Sequence, residues 1–134
     1  MLTYGDGVAD IDLAKLLETH EKSDSIVTLS GVSIGQSKGI LDIDDNGKIS
    51  TFREKKSVDG SVINGGFMVC EPEVFDYIGG DDSVFEEDVL AVLADEGKLS
   101  CCRHPGFWKC MDTQREREQL QELWTGRRAP WKVW

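Results

Sequence analysis

Two aspartates stand where the chain can build an oxygen-rich site: Asp6 in Thr3-Tyr4-Gly5-Asp6-Gly7-Val8, and Asp112 in Gly106-Phe107-Trp108-Lys109-Cys110-Met111-Asp112-Thr113. Flanking glycines let backbone and ligand come close to a carboxylate. Magnesium takes one or two carboxylates, keeps several waters and fills its other positions with substrate phosphate. Two aspartates on separate loops therefore suit a metal that arrives with a phosphorylated ligand. A plainer role is open to both, Asp6 shaping a turn and Asp112 helping to cap the helix that follows. A second group is Phe52-Arg53-Glu54-Lys55 with Ile63-Asn64-Gly65-Gly66-Phe67. A lysine grips phosphate as a point charge, and a glutamate accepts hydrogen bonds from sugar hydroxyls. Asn64-Gly65-Gly66 lets backbone lie against a flat ring; a surface ion pair and a strand-entry turn are the ordinary alternative.

Two further constellations are weaker. Asp42-x-Asp44-x-Asn46-Gly47 overlays the front of an EF-hand loop, but Arg53 stands at position twelve, where calcium wants a bidentate glutamate. The flanks also alternate like strands, so a hairpin is the better reading. Cys70, Cys101, Cys102 and Cys110, even with His104, lack the paired spacing of a zinc site. Adjacent Cys101 and Cys102 would point to opposite faces of a strand, and buried free thiols are expected instead.

The elements that must hold these residues alternate in type. Asp10 or Asp12 can cap a helix to about His20, with Leu13, Leu16 and Leu17 on one face. Ile26 to Val32 is a short β-branched run and reads as a buried strand. Ile40–Ile43 and Lys48–Phe52 flank the turn Asp44-Asp45-Asn46-Gly47 as a hairpin. Ile63–Cys70 is another strand. Pro72 opens a short helix over Glu73–Ile78, and Asp82 or Ser83 caps a second one through Val89, Leu90 and Leu93 to Gly97. Leu99–Arg103 is a strand. Thr113-x-x-Glu116 is a capping box that opens a helix with Leu120, Leu123 and Trp124 on one stripe. Alternating strands and helices specify an α/β architecture.

At 134 residues the chain is expected to form a single domain, residues 1–134. With 25 acidic against 15 basic residues the formal charge is -10, which repels nucleic acid and anionic membrane. No apolar run approaches the roughly 18 residues of a membrane span, and no basic region followed by an apolar stretch marks a secretory signal. A cytoplasmic location is the expectation.

Taken together, Tyr4-Gly5-Asp6-Gly7-Val8-Ala9-Asp10, Glu54-Lys55, Ile63-Asn64-Gly65-Gly66-Phe67, His104-Pro105-Gly106-Phe107-Trp108, Met111-Asp112-Thr113 and Ala129-Pro130-Trp131-Lys132 occur in the order seen in glucose-1-phosphate cytidylyltransferases. The chain resembles that branch of the sugar-1-phosphate nucleotidylyltransferases along essentially its whole length. The resemblance implies a Rossmann-like mixed sheet with flanking helices, and transfer of a cytidylyl group from CTP to α-D-glucose 1-phosphate, giving CDP-glucose and pyrophosphate for bacterial O-antigen sugars. It implies that Asp6 and Asp112 hold Mg²⁺ and that Gly5 lines the nucleotide or sugar site. It further implies that Lys55 binds the sugar phosphate, Glu54 the glucose hydroxyls, and Asn64 and Gly65 the sugar face. Asp6, Lys55 and Asp112 would be the catalytic set.

Some positions depart from the family pattern. Lys56 and Cys110 stand where the family has prolines, which leaves both loops less constrained. Ser33-Ile34-Gly35-Gln36-Ser37-Lys38-Gly39 replaces a glycine- and arginine-bearing loop, with Lys38 standing in part for the arginine. The resemblance begins about halfway along the family's usual length, so it covers the C-terminal sugar-phosphate- and metal-binding half. The G-x-G-T-R-L type loop and the first nucleotide-binding strands fall outside it. The expectation is a fragment inactive alone, completed by a separate N-terminal half or by an oligomer. The alternative is a non-catalytic oligomerisation or sugar-phosphate-binding module.

Overall fold

The computed structural model describes residues 1–33, 40–43, 49–53 and 62–134. The chain divides into two compact units, one formed by Met1–Val32 with Asn64–Trp134 and the other by Ser33–Ile63. In the second unit, β4 (Ile40–Ile43) and β5 (Ile49–Arg53) pair antiparallel, with a register irregularity between Asp42 and Ile43. The expected hairpin is therefore present. Its turn Asp44–Gly47, the EF-hand-like ligands beyond Asp42, the loop residues 34–39 including Lys38, and the trio Glu54, Lys55 and Lys56 lie outside the described residues.

The first unit is built on a four-stranded mixed sheet in the order β1-β6-β3-β7. β1 (Leu2–Thr3) pairs antiparallel with β6 (Val62–Cys70), and β3 (Val27–Ser33) pairs parallel with β7 (Leu99–His104). The Glu71 amide donates to Ile26 O at 2.8 Å while Gly65 lies against Ser30 and Val32, so β6 runs antiparallel to β3. β3 is buried along most of its length, as an inner strand covered on both faces must be. Val27, Met68, Val74, Val89, Leu90 and Leu93 form the core cluster beside it. Each buried aliphatic side chain there contributes about 1.5–3 kcal/mol of transfer free energy.

Helix α1 (Leu13–Glu21) is capped by Asp12, whose side chain accepts from Lys15 N. Its buried residues are Leu16 and His20, while Leu13 and Leu17 are exposed. The apolar face expected from three leucines is thus narrower, and a histidine completes it. His20 lies between Thr28 and Glu71, with Nδ1 2.9 Å from Thr28 Oγ1 and Nε2 3.0 Å from Glu71 Oε1. With Nε2–H donating to the carboxylate, Nδ1 accepts from the threonine hydroxyl, and both nitrogens of the buried ring are satisfied.

The connection after β6 differs from two ordinary α-helices. Pro72–Tyr77 forms a 3₁₀ helix, with Pro72 in the first turn where its missing N–H costs nothing. Phe85–Leu90 is a π-helical turn that runs directly into α2 (Ala91–Asp95). Neither Asp82 nor Ser83 caps it: the Ser83 hydroxyl accepts from the Gly79 and Gly80 amides instead, and Asp88 Oδ2 accepts from Val84 N at 2.7 Å. The wide turn keeps Val89 and Leu90 both buried.

Two three-residue strands carry no strong sequence signal. β2 (Gly7–Ala9) and β8 (Trp108–Cys110) pair antiparallel as Gly7 with Cys110, Val8 with Lys109 and Ala9 with Trp108. Helix α3 (Gln114–Thr125) follows, with the Thr113–Glu116 capping box complete. Of its expected stripe, Leu120 is buried and Trp124 exposed. All four cysteines are free, and none is buried: Cys101 is exposed and the others half-buried. Among the described residues no helix is long and apolar enough to cross a membrane.

Candidate functional site

The β2–β8 ribbon solves a placement problem that sequence distance poses. Pairing Gly7 with Cys110 sets Asp6 beside Met111, and the Met111 amide donates to Asp6 O at 2.9 Å. Asp112 is the next residue. At the other end the Asp10 amide donates to Phe107 O at 3.2 Å, and His104 Nε2 lies 3.0 Å from Asp10 Oδ1 and 3.0 Å from Phe107 O. The ribbon is therefore fastened at both ends. Gly106 sits so close to this fastening that a Cβ there would lie 2.4 Å from Asp10 Oδ1.

A second connection ties the ribbon to the sheet. Trp108 Nε1 donates to Gly65 O at 2.7 Å, and Tyr4 N donates to Gly66 O at 3.0 Å. Gly65 needs its missing side chain, since a Cβ would lie 2.7 Å from Ser30 Oγ and 2.9 Å from Val32. Gly66 adopts φ +77°, and a Cβ there would press on the Tyr4 ring. The Asn64 side chain steadies the same turn, its Oδ1 accepting from Gly66 N at 2.9 Å.

Together these elements form a cavity of about 170 Å³ whose lining includes Tyr4, Asp6, Asn64, Gly65, Trp108, Cys110 and Asp112. Four of the expected site residues, Asp6, Asn64, Gly65 and Asp112, thus share one cavity although they come from separate stretches of chain. Gly5 lies in the adjoining turn and is not among the lining residues; no atom lies within 4 Å of where its Cβ would be. Glu54 and Lys55 lie outside the described residues. Larger cavities occur elsewhere, one of about 270 Å³ between the N-terminus of α1 and the His104–Gly106 loop.

Asp6 and Asp112 are both exposed carboxylates, which offer hard oxygen donors with room for water. That donor set fits a magnesium ion, which retains several waters. Cys110 Sγ, Asp112 and Glu116 also bring one ligand atom each within 4.8 Å of one another. A thiol is a soft donor that magnesium does not favour, and Glu116 Oε2 is already engaged by Thr113 N and Oγ1 at 3.0 and 2.9 Å. Cys110 instead donates to Asp112 Oδ2 at 3.2 Å. Burial, then the Asp112 carboxylate that accepts its S–H, raises the Cys110 thiol above its ordinary range. Thr113, not Asp112, caps α3.

Tyr4, which lines the cavity, and its hydrogen-bond partner Glu86 were not singled out by the sequence. The Tyr4 hydroxyl donates to Glu86 Oε1 from the π-helical turn. Burial, followed by that hydrogen bond and the glutamate's charge, pushes the phenol from 10.0 up to about 12.

No family model matches the chain. It is 42% identical over 134 residues to the glucose-1-phosphate cytidylyltransferase of Salmonella typhi, a match that takes in 100% of this chain and 52% of that protein. The chain thus spans about half the length of such relatives. Its fold is shared with HddC from Yersinia pseudotuberculosis, at a TM-score of 0.61 and 22% identity over 90% of this chain and 52% of that one. A putative glucose-1-phosphate thymidylyltransferase from Bacillus anthracis, crystallised with a sucrose, gives a TM-score of 0.57 at 18% identity over 86% of this chain and 50% of that one. The chain is therefore similar along its whole length to glucose-1-phosphate cytidylyltransferases, corresponds to about half of one, and has the α/β fold of sugar nucleotidyltransferases.

Proposed function

We propose that this chain is the sugar-phosphate- and metal-binding part of a cytidylyltransferase that joins CTP to glucose 1-phosphate. The observation that carries the reading is the ribbon that brings Asp6 and Asp112 into one cavity with Asn64 and Gly65, in a chain 42% identical to a glucose-1-phosphate cytidylyltransferase. Asp6 and Asp112 hold Mg²⁺ in this reading. When bound, the ion neutralises triphosphate charge and eases departure of pyrophosphate. Asn64 and the Gly65 backbone face the sugar, Glu54 accepts from its hydroxyls, and Lys55 holds its phosphate.

The sugar-phosphate oxygen then attacks the α-phosphorus of CTP in line, forming the new P–O bond as the bond to pyrophosphate breaks. No covalent enzyme intermediate is needed, and positioning together with charge neutralisation does most of the catalysis. The triphosphate cradle comes from polypeptide outside this chain. Pyrophosphate release from CTP and glucose 1-phosphate tests the reading. The chain alone should be inactive and should turn over when mixed with the other half of a relative; a folded mixture without turnover argues against it.

A second reading, a non-catalytic oligomerisation or sugar-phosphate-binding module, draws on the exposed apolar side chains Phe75, Val133 and Trp134, which are 72, 74 and 81% accessible. Sedimentation separates the two: a stable monomer with a native near-UV tryptophan signal removes oligomerisation.

A further inference from the structure

The end of α3 has its glycine one residue before the position where backbone geometry wants one. Arg127 N donates to Trp124 O at 3.1 Å and Arg128 N to Leu123 O at 2.9 Å. This pair of bonds closes a helix as a Schellman motif, with a left-handed residue at the first donor. That residue is Arg127, at φ 53°, the only non-glycine with a positive φ among the described residues. Glycine takes this conformation freely, whereas a side chain strains it. Gly126 has an ordinary φ of -73° and is a glycine for another reason: a Cβ there would lie 3.0 Å from Glu122 O and 3.2 Å from Arg128 Nε. Arg128 folds back over the helix end, where a positive charge suits the terminal carbonyls. Arg127 carries the strain, and strain of this kind is concentrated where a side chain clamps a ligand.

Arg127 lines a cavity of about 760 Å³ together with Trp124 and Lys132, a volume within the range of small-molecule sites. The Trp124 indole is 48% accessible, and Lys132 Nζ stands over it, 5.5 Å from the ring centroid, a cation–π contact that holds the ammonium on this wall. The segment bearing Lys132 is itself anchored: Trp131 stacks on Phe107 with centroids 5.6 Å apart, and Lys132 N donates to Ala129 O at 3.1 Å. Residues 123–134 include Arg127, Arg128 and Lys132 but no aspartate or glutamate, in a chain of net charge -10. An arginine fork and a lysine point charge are the donors that recognise phosphate, and an indole offers a flat face to a ring. We propose that this cavity binds a phosphomonoester carrying a planar ring, of the nucleoside monophosphate class, with Arg127 and Lys132 on the phosphate and Trp124 beside the ring. None of its lining residues belongs to the cavity of Asp6 and Asp112, so the proposal does not depend on the sugar-phosphate reading.

Calorimetry on the full chain without Mg²⁺, so that Asp6 and Asp112 have no ion to offer, compares AMP, ribose 5-phosphate and inorganic phosphate. AMP should bind most tightly, and it should quench tryptophan emission in the wild type but not in Trp124→Phe. Arg127→Gly and Lys132→Ala should each weaken AMP by about tenfold, the loss of one hydrogen bond to a charged group. Arg127→Lys keeps the charge and should recover part of that affinity. Arg128→Ala, which removes a guanidinium that faces the helix end, should bind AMP as the wild type does. Arg127→Gly should also raise the urea midpoint, because glycine relieves the left-handed strain. A variant that is more stable yet binds more weakly is a split that damage to the fold cannot produce. Equal AMP affinity in the wild type and Arg127→Gly overturns the proposal, as does a folded wild type that fails to bind AMP or binds it no better than ribose 5-phosphate. A lower urea midpoint in Arg127→Gly also counts against it, since packing and not a ligand would then explain the arginine.

Discussion

Asp112 shows how a residue's plainer role can be tested by looking for the group that does the plain job. A carboxylate just before a helix can serve as its cap, but Thr113 caps α3 and Glu116 closes the box. Asp112 keeps its exposed carboxylate at the cavity, where it accepts from the weak S–H donor of Cys110. Asp112→Asn should therefore leave stability within about 0.5 kcal/mol, the usual range for an exposed site, while Mg²⁺ affinity measured by calorimetry falls by an order of magnitude or more. Unchanged affinity would return Asp112 to the surface. Tyr4 offers a pH test. Its phenol titrates near 10.0 when unfolded and at about 12 when folded, so between those values the folded state binds more proton. Stability from this group is complete below about pH 10 and is lost as pH rises through about 12. The wild type should lose more stability than Tyr4→Phe across that window in urea titrations, and parallel curves would show that the phenol is not held.

At the scale of elements, legibility followed the range of the interaction. Helix α3 was readable because Thr113 and Glu116 are three residues apart and act on each other; Thr113→Ala should cost about 1 kcal/mol of stability by chemical denaturation. β3 was readable because Ile26-Val27-Thr28-Leu29 is a short apolar, β-branched run of the kind a buried strand uses. The ribbon was not: three residues carry too little pattern, and Gly7 meets Cys110 only through long-range pairing. The π-helical turn hid for another reason, since the spacing of Val89, Leu90 and Leu93 suits an α-helix equally well. Likewise Leu13 and Leu17 look like core on a helical projection, yet neighbouring elements cover only Leu16 and His20. Motif order marked Asp6, Asn64, Gly65 and Asp112. Glu86 carried no signal, because its hydrogen bond comes from Tyr4, 82 positions away in the chain. Gly66 joins the two levels: its φ of +77° and the Tyr4 ring 3.1 Å from where a Cβ would stand predict that Gly66→Ala lowers stability by roughly 1–2 kcal/mol, measured by chemical denaturation.

At the scale of the whole molecule, the proposed metal and sugar contacts fall in one cavity of a chain whose relatives are about twice as long. Phosphoryl transfer needs a cradle for the leaving polyphosphate as well as a held nucleophile. Binding and turnover should therefore separate in this chain. Calorimetry of the chain alone should detect glucose 1-phosphate in the presence of Mg²⁺, with affinity lost in Asp6→Asn as well as in Asp112→Asn, because the ribbon places both at one cavity. On the proposed reading CTP should bind far more weakly, since a triphosphate needs a cradle of backbone amides that this reading assigns to another polypeptide. Adding the other half of a relative should restore CTP binding and pyrophosphate release together. Its apparent affinity for this chain should rise when glucose 1-phosphate and Mg²⁺ are present, because ligands held by both parts favour the assembled form by linkage. CTP bound equally well by the chain alone would locate the nucleotide site within these residues and remove the need for a second part.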